Sequence, residues 1–192
     1  MSCNSHSPNK GRWRGLVGAW LLGGLLAVQG LVAPAAWANH PALPDGVKSG
    51  EATLRFLGLQ IYNARLWTPS AFDVSQVASQ PLVLELEYLR NFRASAIADR
   101  SIVEMRRAGS FTDEQARRWN TEMQRVFPDV KSGDRLTGIH QPGVGAAFLH
   151  NDRPVGTIED PEFARLFFSI WLGPDTSEPN MRRQLLARWL NP

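Results

Sequence analysis

Five polar side chains interrupt the apolar segment "LRFLGLQIYNARLW" at residues 54–67: Arg55, Gln60, Tyr62, Asn63 and Arg65. An arginine there could meet a carboxylate or enolate oxygen through a charge-assisted hydrogen bond, and a tyrosine beside it could donate or accept one. Two accounts fit these residue types. They line a pocket, where a partly buried arginine needs an anion. Alternatively they are solvated strand residues, with Tyr62 in the core and its hydroxyl at the rim. The residues alone leave both open. Elsewhere the chemistry is sparse. The chain has no H-E-x-x-H, C-x-x-C, G-x-S-x-G or Walker-type loop. "GVGAAF" lies between two expected strands and reads as a turn, not a dinucleotide loop. His140 and His150 are on neighbouring strands, but the turn "QPGVG" pairs His140 with Ala146, and no third ligand is at hand. The carboxylates fall at helix caps, helix starts and one strand face. The expectation is therefore no metal and no cofactor.

The elements that must position these residues begin after a leader. Residues 1–14 carry Lys10, Arg12 and Arg14 and no acid, residues 15–32 are apolar but for Gln29, and Ala36-Trp37-Ala38 supplies small residues for cleavage. That pattern is a secretory signal peptide over 1–38, implying a periplasmic or secreted protein that touches a membrane only through this segment while it is uncleaved. Three of the 21 basic residues and none of the 18 acids leave with it, so 18 face 18 in the remainder. The high isoelectric point is thus largely a targeting signal, and nucleic acid is not an expected partner. The only cysteine, Cys3, also lies in the leader, which leaves packing to stabilise about 154 residues, a comfortable length for one domain.

A polar lead-in, 39–50, precedes a domain expected over 51–192. Strands are expected at 52–57 and 59–67, with Gly58 as a bulge or bend. "PLVLELEYL" alternates Leu82, Leu84, Leu86 and Tyr88 with Glu85 and Glu87, a half-solvated antiparallel strand. A helix at 95–108 carries an Arg100–Glu104 pair and stops at Gly109. A second starts at a capping box, Thr112 with Gln115, and ends at Pro128. Three short strands follow in "DRLTGIH", "AAFLH" and "VGTIE". Asp160 then caps a helix whose Phe163, Leu166, Phe167, Ile170 and Trp171 form one apolar stripe. A final helix spans 179–190. Strands and helices come in runs, which favours an α+β fold with an antiparallel sheet covered on one face by helices.

"GEATLRFLGLQIYNARLW", "FPDVKSGDRLT" and "PGVGAAFLHNDRPVGTIEDPEFARLFFSIWLG" resemble the bacterial chalcone isomerase-like family, from about Gly46 to Leu190. The resemblance implies an open-faced sandwich with a ligand cleft between sheet and helices. True chalcone isomerases close 2′-hydroxychalcones to flavanones, using an arginine at the oxyanion and a threonine and tyrosine that hold water. Other branches of the family bind fatty acids. Carried over by motif, Arg55 stands for the family arginine and Tyr62 for the strand threonine. These two would be the ligand-binding residues, and the catalytic ones if the chain were active. Ala96 stands where the helix tyrosine of the true enzymes would fall, which counts against cyclisation. The resemblance thus implies a binder of a fatty acid or flavonoid-like molecule, with an intramolecular lyase and an envelope interaction protein as alternatives.

Overall fold

The computed structural model describes residues 40–190, and the expected signal peptide at 1–38 lies outside them. Six strands, β1 (Gly46–Phe56), β2 (Leu59–Pro69), β3 (Leu82–Tyr88), β4 (Arg135–Gln141), β5 (Gly145–His150) and β6 (Arg153–Ile158), form one antiparallel sheet in chain order. Helices α1 (Ala94–Ala108) and α2 (Asp113–Val126) lie between β3 and β4. Helices α3 (Pro161–Leu172), α4 (Pro179–Leu185) and α5 (Ala187–Leu190) follow β6. The α+β expectation holds. Strand β1 starts earlier than expected, so Gly46–Gly50 belong to the sheet, and the expected final helix is broken in two at Leu186. A short 3-10 helix occupies Val74–Ser79 within the expected loop.

Local sequence explains the helix starts. Thr112 accepts from the Gln115 backbone while the Gln115 side chain accepts from the Thr112 backbone, completing the expected box. Asp160 accepts from the backbone of both Glu162 and Phe163 at 3.0 Å. It also accepts from Trp119 Nε1 at 2.8 Å, which ties the start of α3 to α2.

The core lies between sheet and helices. Leu82, Leu84, Leu86 and Tyr88 of β3 are buried against the α3 stripe of Phe163, Leu166, Phe167 and Trp171. Phe168 of α3 comes close to the sheet over Gly138, where an added Cβ would sit 3.2 Å from the Phe168 ring. The other face of β3 is less wet than its alternation predicted. Glu85 is buried in a strip of ion pairs, 2.7 Å from Arg65 and 3.3 Å from Arg135, and Arg65 also reaches Glu87 at 2.5 Å. Two carboxylates opposite two guanidiniums on adjacent strands offset each other's desolvation. Among the described residues, no helix is long and apolar enough to cross a membrane.

Candidate functional site

The β1–β2 hairpin decides which polar residues face the helices. Its turn is Leu57-Gly58, flanked by the Phe56–Leu59 pair, and both turn residues have positive φ (50° and 79°), as a type I′ turn requires. Gly58 is therefore the hairpin turn itself. The register shift lies further in: Leu54 pairs with Tyr62 but Arg55 pairs with Gln60, which leaves Ile61 as the extra residue of a bulge. A bulge turns two consecutive side chains to one face. Both Ile61 and Tyr62 consequently line the same cavity. From Leu54 to Phe56 the β1 side chains alternate, so Leu54 and Phe56 face the cavity while Arg55, between them, is exposed and does not line it. The structure thus brings Tyr62 to the cleft and leaves Arg55 on the opposite face. Asn63 and Arg65 are also outside the cleft. Asn63 accepts from Thr53 at 2.8 Å and Arg65 belongs to the ion-pair strip.

The cavity holds about 330 Å³ between the sheet and helices α1 and α3, within the range of small-molecule sites. Leu54, Leu86 and Leu136 form the sheet wall, and Ile97, Phe167 and Ile170 the helix wall. Its mouth lies among exposed residues: Phe56, Ala96, Arg100, Ser177 and Glu178. Ala96 stands in this rim, where a tyrosine would have put a hydroxyl.

Two tyrosine hydroxyls supply polarity in the interior. Tyr62 accepts from Trp171 Nε1 at 2.9 Å, which leaves its own proton free to donate. Tyr88, paired with Tyr62 across β2 and β3, is 4% exposed. Its contacts are ring edges, with Tyr62 at 5.8 Å and Phe92 at 5.7 Å between centroids. Among the described residues its hydroxyl has no hydrogen-bond partner. Burial raises the pKa of both phenols well above the ordinary value, with the Trp171 hydrogen bond partly opposing this for Tyr62 and the coulombic effect of Tyr62 adding to it for Tyr88. Both are neutral donors at physiological pH.

Helix α1 adds charge. Glu104 is 5% exposed and lines the cavity. Arg100 lies 2.6 Å from its Oε1, off the line of a hydrogen bond, and Arg107 lies 3.4 Å from its Oε2. In the sequence Arg100 and Glu104 read as a pair along the helix, and Tyr88 as one residue of an apolar strand face. A signal was present for Glu104. Ile97, Ser101 and Glu104 fall at i, i+4 and i+7, so the carboxylate shares the inward stripe of α1. Among the described residues there is no cluster of side chains suited to a metal ion.

A family model described as chalcone isomerase-like matches residues 49–187. A Haemophilus influenzae protein, described only as uncharacterized, is 30% identical over 113 residues, covering 59% of this chain and 55% of its own. The match therefore spans about half of that relative's length. Among solved structures, a fatty-acid binding protein of Arabidopsis thaliana aligns with a TM-score of 0.57 at 12% identity, over 74% of this chain and 87% of its own. At that identity the likeness is one of fold.

Proposed function

The chain belongs to the chalcone isomerase-like family, and on that premise we propose that it is an exported binding protein whose cavity takes up one small apolar molecule carrying an oxygen function, of fatty-acid or flavonoid type. The observation that carries the reading is the cavity itself, about 330 Å³ of mostly apolar wall with two inward tyrosines. A wall of this kind gains by covering hydrocarbon, at roughly 25 cal/mol per Å² removed from water. The few polar groups would then select the orientation of the ligand. The Arabidopsis neighbour, described as a fatty-acid binding protein, adds support for a ligand with a hydrocarbon chain. Binding is preferred to isomerisation because Arg55 is exposed outside the cavity and Ala96 brings no hydroxyl to it. Export rests on the leader sequence at 1–38.

Native mass spectrometry of the protein purified from its own cell envelope tests the reading, through a mass excess that disappears on denaturation. Titration with a fatty acid and with 2′-hydroxychalcone follows, the second monitored by absorbance for turnover. Ligand affinity without turnover is the expected result. Turnover of the chalcone would reinstate the lyase, and absence of binding to both would remove the cavity as a ligand site.

A further inference from the structure

The cavity's head-group chemistry is set by its charges and donors, and this inference rests on the binding role proposed above. Of the groups that line it, three are charged: Arg100, Glu104 and Glu178. One cation against two anions leaves the lining net negative. The cation is also engaged, because Arg100 lies 2.6 Å from Glu104 at the mouth. Arg55 on β1 is exposed and does not line the cavity. A ligand carboxylate entering here would lose its hydration and approach Glu104 with no unengaged cation to receive it.

The donors point to a different partner. Trp171 donates to Tyr62, which polarises the Tyr62 hydroxyl as a donor in turn, and hydrogen bonds in such a chain strengthen one another. The Tyr88 ring packs against the Tyr62 ring and lines the same cavity, and among the described residues no protein group bonds its hydroxyl. Two neutral O–H donors lining one mostly apolar cavity suit an acceptor with two lone pairs and no charge.

We propose that the head group held in this cavity is a neutral carbonyl, as in a ketone, an enone or an ester, received by the Tyr62 and Tyr88 hydroxyls, and that the site discriminates against carboxylates. The hydrocarbon remainder of such a ligand lies along Leu54, Leu86, Ile97 and Phe167.

The test compares, by isothermal titration at neutral pH, decanoate with the methyl ketone and the methyl ester of equal chain length. The ketone and ester are expected to bind at least tenfold more tightly than decanoate. Decanoate itself should gain affinity as pH is lowered toward its own carboxyl value. Tyr88→Phe, which removes a hydroxyl without a protein partner, should leave the melting temperature unchanged and weaken ketone binding about three- to tenfold. Decanoate binding as tightly as the ketone would overturn the neutral-carbonyl assignment while leaving the cavity as a ligand site. An unchanged ketone affinity in Tyr88→Phe would overturn it in the same way. If none of the three compounds binds, the cavity reading fails and the head-group assignment falls with it.

Discussion

Asp160→Ala is the most informative single change for the fold, because one carboxylate holds three things at once. It accepts from the Glu162 and Phe163 backbone at the start of α3, from Trp119 Nε1 on α2 at 2.8 Å, and from Arg118 at 3.0 Å. Loss of the cap should cost about 1 kcal/mol. The Trp119 ring is 1% exposed, and its N–H left without an acceptor should cost about another 1–3 kcal/mol. The Arg118 pair is half in solvent and adds little, well under about 1 kcal/mol. The total is about 2–4 kcal/mol, a fall in melting temperature of about 5–15 °C for a domain of this size. Asp160→Asn keeps an acceptor for the backbone and the indole, so it should lose less. A pH series in denaturant then isolates the charge. Burial alone would raise the Asp160 carboxyl value, but hydrogen bonds from Phe163, Trp119, Arg118 and Glu162 outweigh it and hold the group below its ordinary range. A value depressed in the folded state contributes stability above the unfolded value and loses it as pH falls through the folded one. The gap between wild type and Asp160→Asn should therefore close below about pH 4. A loss in Asp160→Ala smaller than about 0.5 kcal/mol, or a gap to Asp160→Asn that ignores pH, would refute this account of the α2–α3 junction.

Other changes probe other joints. Trp171→Ala removes a buried ring that packs on Phe167 at 5.4 Å and donates to Tyr62, and should cost about 3–5 kcal/mol by chemical denaturation. Leu57 is 86% exposed at φ 50°, so Leu57→Asn should raise the denaturation midpoint by about 0.5–1 kcal/mol of stability, whereas a loss would mean the side chain has a contact worth more than the strain. Gly50→Ala would put a Cβ 2.0 Å from the Gln184 carbonyl oxygen, so α4 must shift off β1 at a cost of about 1–3 kcal/mol, visible in thermal melts. Cleavage after Ala38 predicts that N-terminal sequencing of the protein from its natural host begins at Asn39; a start near Met1 would favour an uncleaved anchor.

What the sequence disclosed was what short-range rules govern. The capping box at Thr112, the Asp160 cap and the α3 stripe each depend on residues within two turns, and they stand in the structure as expected. The pairing of His140 with Ala146 followed from turn length alone. The site was harder, because it depends on which strand bulges. Arg55 and Tyr62 have one spacing in the chain whether the extra residue is Gly58 or Ile61. Only the Leu54–Tyr62 and Arg55–Gln60 pairs reveal that the bulge is on β2, which turns Tyr62 in and leaves Arg55 out. Tyr88 and Glu104 escaped notice for another reason. Each obeys its element's periodicity, and the space between them belongs to neither strand nor helix but to the cavity between α1, α3 and the sheet.

Helices α4 and α5 pack against β1, and α4 also meets β2. Ser49 Oγ donates to the Leu185 carbonyl at 2.8 Å, and Trp189 Nε1 donates to Thr68 on the neighbouring strand at 3.0 Å. β1 therefore completes its packing only with a helix 136 residues further along the chain, a contact of high sequence separation that forms late in folding.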